Sequence, residues 1–143
     1  SLKKIIIPTS IKKIGSSTFA MTAINKIEIP NSVTEIGEFA FSQCKKLKKL
    51  NISSSVINIE NNAFYNCVLL KEIKIPSSLT SISHGCFEHC QSLRKVEIPN
   101  SITKICENAF HLCNRLEKIE IPPSVTQIQK NSFPQNTKII RIK

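Results

Sequence analysis

The dipeptide Ile-Pro returns along this chain at Ile7-Pro8, Ile29-Pro30, Ile75-Pro76, Ile98-Pro99 and Ile121-Pro122. From Pro30 onward the spacing is a multiple of 23 residues, with Ile52-Ser53 filling the vacant place, and the first unit is one residue shorter. Other columns keep the same register. The third residue after the Pro is Ile11, Val33, Val56, Leu79, Ile102 or Val125, and the sixth is always Ile, from Ile14 to Ile128. The eleventh is Phe19, Phe41, Phe64, Phe87, Phe110 or Phe133, followed by Cys44, Cys67, Cys90 and Cys113, then Leu47, Leu70, Leu93 and Leu116. A unit this short cannot bury its own apolar face, so stacking against its neighbours is the only way to close a core. The chain is therefore a single solenoid domain over 1–143, with units at about 8–29, 30–52, 53–75, 76–98, 99–121 and 122–143 and a partial strand at 2–7.

Each unit closes on alternating apolar residues, as in Leu50-x-Ile52, Ile73-x-Ile75, Val96-x-Ile98 and Ile119-x-Ile121. That alternation predicts a short strand with one face buried. The Pro that follows has no N–H for a ladder and ends the strand. Asn31-Ser32 and Asn100-Ser101 then supply turn-forming side chains. A second extended piece, Val33-x-x-Ile36 in the second unit, returns the chain to the core, and the Ala-Phe-x-x-Cys stretch predicts one helical turn on the opposite side.

Ile27-Glu28-Ile29-Pro30-Asn31-Ser32-Val33-Thr34-Glu35-Ile36-Gly37, continued by Ala40-Phe41-Ser42-Gln43-Cys44, resembles the repeat of the BspA-type leucine-rich-repeat proteins of bacterial surfaces and protozoan parasites. The likeness covers almost the whole chain. Its departures are local: Met21-Thr22 where the Cys is expected, Ser53-Ser54-Ser55 for Pro-x-Ser, and Phe133-Pro134 in a last unit that stops early. The resemblance implies a leucine-rich-repeat solenoid of about six right-handed coils. A parallel β-sheet lies on the concave face, with short extended pieces and single helical turns elsewhere. It also implies adhesion or protein binding, with no cofactor, and a cell-surface or secreted location; a cytoplasmic one is the alternative.

Six cysteines in a small chain ordinarily suggest a disulfide framework. Here Cys44, Cys67, Cys90 and Cys113 share one column, each about 5 Å from the next. They read as small buried hydrophobes with free thiols, and Cys86 replaces the column Ala in the same role. One or two column disulfides are the alternative. His84, Cys86, His89 and Cys90 form the densest set of metal-ligand types. Two of them fall on core columns, however, and the spacing matches no usual zinc pattern, so no metal is expected. His111 reads as an isolated, solvated residue.

The residues between the buried strand positions point outward. One column runs Lys4, Lys26, Lys49, Glu72, Lys95, Lys118, Arg141, and its neighbour runs Ile6, Glu28, Asn51, Lys74, Glu97, Glu120, Lys143. Mostly positive stands beside mostly negative, and Glu72 with Lys74 reverses the signs. Cross-strand and diagonal pairs of this kind are worth roughly 0.2–1 kcal/mol each. The face reads either as a self-compensating solvated surface or as a docking surface for a protein. A third column, Lys3, Lys48, Lys71 and Arg94, is unopposed and holds much of the net charge of +10. It suits anionic surfaces, glycans or acidic proteins, including a host or matrix surface. Nucleic acid is disfavoured because no aromatic residues interleave with the bases and Tyr65 is alone. Asn51-Ile52-Ser53 fits a glycosylation acceptor, and a glycan there would obstruct the same face.

Nothing points to catalysis. The chain contains no Asp, so a Ser-His-Asp arrangement is ruled out, and it has no Gly-rich phosphate loop. Glu97 and Glu120 are the best carboxylate pair, yet Lys95 and Lys118 flank them on an open face. No segment approaches the roughly 20 apolar residues that cross a bilayer. The start at Ser reads as a processed protein or a fragment of a longer array. Bare apolar ends, such as Ile139-Ile140-Arg141-Ile142, predict fraying or edge-to-edge self-association. The competing functions are an adhesive interaction module, an intracellular scaffold or regulator, and a purely structural spacer.

Overall fold

The computed structural model describes residues 4–143, so Lys3 lies outside the described residues. Among the described residues twelve short strands follow in order: β1 (Lys13–Ile14), β2 (Lys26–Ile29), β3 (Glu35–Ile36), β4 (Lys49–Ile52), β5 (Asn58–Ile59), β6 (Glu72–Lys74), β7 (Ser81–Ile82), β8 (Lys95–Glu97), β9 (Lys104–Ile105), β10 (Lys118–Ile121), β11 (Gln127–Ile128) and β12 (Lys138–Arg141). The even-numbered strands are the predicted Leu/Ile strands, and the odd ones are the second extended piece. All pair in parallel with the equivalent strand one coil away, as in Ile27 with Leu50, Ile36 with Ile59 and Ile73 with Val96. The fold is a parallel β-solenoid of about six turns.

Among the described residues the even strands bond in twos, β2 with β4, β6 with β8 and β10 with β12, while the odd strands form β1-β3-β5 and β7-β9-β11. Both ladders are thus interrupted where β4 meets β6 and β5 meets β7, and the even ladder is interrupted again between β8 and β10. Side chains bridge the seam that the two ladders share: the Ser78 hydroxyl donates to the Val56 carbonyl and the Ser83 hydroxyl to the Ile59 carbonyl. At Ile59 the hydroxyl satisfies a carbonyl that the ladder leaves free, while the Ser78 bond repeats that of Ser55 to Val33 one coil earlier.

On the third side the structure departs from the expected helical turn; no helix forms among the described residues. The N–H groups of Phe39, Phe41 and Gln43 donate to Asn61, Ala63 and Tyr65 of the next coil at 3.2, 2.8 and 2.7 Å. Those between them, on Ala40, Ser42 and Cys44, close local turns onto Gly37, Phe39 and Phe41. An α-helix would direct every N–H back along its own segment. Here alternate N–H groups leave for the neighbouring coil. The left-handed backbone that permits this recurs at Ser17, Phe39, Asn62, Gly85, Asn108 and Asn131, and again at Met21, Gln43, Asn66, His89 and Leu112.

The core lies between the three sides and is built of the sequence columns. Phe41, Phe64, Phe87 and Phe110 are fully buried and stack through the solenoid, with ring centroids 5.3 to 5.5 Å apart. Thr22 stands in the Cys column of the first unit, its hydroxyl 3.5 Å from the Cys44 sulfur.

The last coil is three residues shorter than the period. Lys118 pairs with Lys138, and Ile121 with Arg141. The placement of Arg141 and Lys143 at the ends of the two outward columns is therefore corrected: Lys138 and Ile140 stand there. Phe133-Pro134 leads into a tight turn, with the Thr137 N–H on the Pro134 carbonyl at 3.0 Å, and this shortens the return. The Arg141 guanidinium turns aside to donate to the Val125 carbonyl at 2.7 Å.

Candidate binding face

Strand pleat fixes the outward face. Ile27, Leu50, Ile73, Val96 and Ile119 point into the core, so the residues on either side of each must point out. Glu28, Lys49, Asn51, Glu72, Lys74, Lys95, Glu97, Lys118 and Glu120 are all exposed, Lys26 is half-buried, and Lys71 and Arg94 are exposed at the strand entrances. The reversal of sign on the fourth strand is present, Glu72 standing beside Lys95 and Lys74 beside Glu97.

The ion pairs on this face run along strands. Lys26 holds Glu28 at 2.7 Å and Lys95 holds Glu97 at 3.1 Å. Residues two apart share a face, and the long Lys side chain spans that distance. The hydrogen bond from Lys26, and then its charge, lowers the Glu28 carboxyl below its ordinary value. Elsewhere, the bond to Glu35 and its charge raise Lys13.

Two depressions adjoin on the face. One of about 430 Å³ lies over the seam and is lined by Asn51, Glu72, Lys74, Lys95 and Glu97. The other, of about 790 Å³, lies over Lys4, Ile6, Lys26 and Glu28, and the two share Asn51 and Ile52. Glu97 and Glu120 remain on open surface, with Glu97 engaged by Lys95. Asn51 is exposed in the middle of the face, while the hydroxyl of Ser53, two residues on, is bonded to Asn31.

The column cysteines are free and buried. The thiols of Cys44, Cys67, Cys90 and Cys113 donate to the carbonyls of Phe19, Phe41, Phe64 and Phe87 at 3.1 to 3.3 Å. Burial pushes the Cys44, Cys86 and Cys113 thiols up, and Cys67 is raised first by its neighbour Cys90 and then by burial. Cys86 and Cys90 are core residues, and His89 lies edge-on to Tyr65 with ring centroids 5.4 Å apart. Among the described residues no three His, Cys, Asp or Glu side chains are grouped to hold a metal.

His111 is not the isolated, solvated residue that its sequence position suggests. Its Nδ1 lies 3.2 Å from Oε1 of Glu88, and both side chains are partly buried on the turn side. The signal was in the sequence, since Glu88 and His111 are one period apart.

The profile of the BspA type leucine rich repeat region, in six copies, matches residues 1–114 and 58–143. The chain belongs to the BspA-type leucine-rich-repeat family. Solved structures of similar leucine-rich-repeat proteins bear out the fold. A T. pallidum protein is 25% identical with a TM-score of 0.74, over 92% of this chain and 67% of its own. A leucine rich cell surface protein of Faecalibacterium prausnitzii is 26% identical with a TM-score of 0.62, over 95% of this chain and 52% of its own. A Bacteroides ovatus protein is 25% identical with a TM-score of 0.67, over 99% of this chain and 48% of its own. This BspA-type domain thus spans about half to two thirds of the length of these relatives. No curated protein matches it significantly. Among the described residues no helix is long and apolar enough to cross a membrane.

Proposed function

We propose that this domain is a non-catalytic protein-interaction module serving adhesion or surface recognition, and that the outward face of β2, β4, β6, β8 and β10 is its docking surface. The observation that carries this reading is the continuity of the face: two adjoining depressions joined at Asn51 and Ile52, floored by rigid strands and lined by unlike charges. Strands fix the backbone that carries these side chains, so binding does not have to order a loop. The two depressions are open to solvent and their carboxylates stand on the exposed strand face, which supports binding over chemistry. The F. prausnitzii cell surface protein supports the setting.

A second reading, an intracellular scaffold for another protein, is favoured by the six free thiols, which suit a reducing compartment. Capture from surface-exposed and cytosolic fractions separately distinguishes the two. The wild type is compared with a K49E/K71E/K95E/K118E variant. A specific partner from the surface fraction, lost on charge reversal, is the expected outcome. A partner from the cytosol alone favours the scaffold, and a partner retained by the variant removes the strand face from the proposal.

A further inference from the structure

The corner leading into β4 reads Lys45-Lys46-Leu47-Lys48-Lys49. Leu47 is buried and anchors the corner, while all four lysines are exposed. One coil on, Lys71 occupies the position of Lys48, and Arg94 follows a coil later. Backbone N–H groups of Lys48 and Arg94 donate to the carbonyls of Asn25 and Lys71, each one coil earlier, both at 2.9 Å, while the step from Lys48 to Lys71 crosses the seam. Successive coils are about 4.8 Å apart, so Lys48, Lys71 and Arg94, at equivalent positions of three successive coils, form a row along the stacking axis. None of the six cations makes an ion pair among the described residues. The nearby acids Glu28 and Glu97 are engaged by Lys26 and Lys95, leaving Glu72 to face the patch. Beside the corner lies a hollow of about 290 Å³ between Met21, Thr22, Ala23 and Lys45, Lys46.

Dense cations on one rigid edge attract a linear polyanion, whose released counterions drive binding. The patch itself selects among polyanions. Single-stranded nucleic acid needs aromatic platforms for its bases, and protein hot spots favour Trp, Tyr and Arg. The patch has no aromatic residue, the chain has no Trp, and Tyr65 lies on the turn side. A sulfated sugar chain needs only spaced cations.

We infer that the edge formed by Lys45, Lys46, Lys48, Lys49, Lys71 and Arg94 binds a linear sulfated polysaccharide lying along the stacking axis. This goes beyond the protein-docking reading, with which it shares only Lys49, Lys71 and Arg94.

The test is binding of the full chain to immobilised heparin as a function of salt. A K45Q/K46Q/K48Q variant, which leaves the protein-docking residues intact, is set beside a K12Q/K104Q/K130Q control of equal net charge. The corner variant should lose at least about tenfold in affinity near physiological salt and lower the log–log salt slope by about 2–3, with the control nearly unchanged. Glu72→Gln should tighten binding. Equal losses in both lysine variants, or none in either, would overturn the inference, as would stronger competition by polyglutamate or single-stranded DNA than by free heparin. Melting curves of the variants separate lost binding from lost fold. Protein capture by the corner variant is scored separately: its retention alongside lost heparin binding supports two sites, whereas failure of capture by the wild type sinks only the docking reading.

Discussion

The rings of Phe41 and Phe64 stack with centroids 5.3 Å apart and planes within 3° of parallel, although 23 residues of chain separate them. Offset stacking of this kind adds to the burial of two large apolar side chains. Phe64 has Phe41 on one side and Phe87, at 5.4 Å, on the other. Phe64→Ala should therefore cost about 3–5 kcal/mol, because neither coil can move into the cavity without breaking its own stack. A circular-dichroism melt of that variant overlaying the wild type would sink the role assigned to the ladder.

Phe39 carries a strained backbone. Its φ is +55° and its side chain is substantially exposed, whereas the same position in later coils is Asn62, Gly85, Asn108 and Asn131. A left-handed residue with a bulky side chain costs roughly 1–2 kcal/mol, and Asn tolerates the conformation. Phe39→Asn should stabilise the domain by about 0.5–1 kcal/mol, read as a rise in urea midpoint at constant m-value. A lower midpoint would mean that Phe39 packs where its exposure says it does not.

Gly37 is required by close approach. A Cβ there would lie 2.8 Å from the Ser16 nitrogen, 2.9 Å from the Gly15 carbonyl carbon and 3.0 Å from the Ile14 oxygen, all backbone of the preceding coil. Backbone bound into a ladder cannot yield as a side chain can. Gly37→Ala should cost about 1–3 kcal/mol, while Gly15→Ala, which meets only the Thr18 hydroxyl at 3.3 Å, should be much milder. Thermal midpoints of the two variants measured side by side decide this, and equal effects would count against the close packing of the first two coils.

The buried thiols give stability a pH dependence. Cys44, Cys67, Cys86 and Cys113 are all raised above the ordinary thiol value. The unfolded chain ionises at about pH 8.5 while the folded thiols stay protonated. Stability is therefore intact below that pH and falls as pH rises above it, by up to about 1.4 kcal/mol per pH unit for each thiol. Denaturation midpoints in reductant at about pH 7 and 9.5 should show the loss, and Cys113→Ala should reduce the slope. A flat profile would mean that the thiols are not held neutral.

The period alone made much of this legible. It placed the six Phe of the column, every column Cys and the strands before the shortened last coil, because a stacked coil repeats its core contacts at the repeat length of the sequence. It also located the outward charges, since strand pleat leaves them no other direction. The turn side was misread as helical, although Asn62, Asn66, Asn108, Asn131 and Gly85 stand at four-residue or whole-period intervals and favour left-handed backbone. The apolar spacing of Ala-Phe-x-x-Cys suits a helical turn equally well, and only the neighbouring coil's carbonyls draw alternate N–H groups away.

Sequence by itself thus determined the solenoid, its core columns and the charges its strand face displays, because these follow from periodicity and burial within each unit. Tertiary structure alone decided how the coils meet. It set the seam between β4 and β6, the shortened last coil that puts Lys138 beside Lys118, the pairing of Lys26 with Glu28 and Lys95 with Glu97 along strands, and the contact of His111 with Glu88. Each depends on the distance and orientation of one coil against another, or on which of several nearby partners a long side chain reaches, and a repeat pattern does not encode those distances.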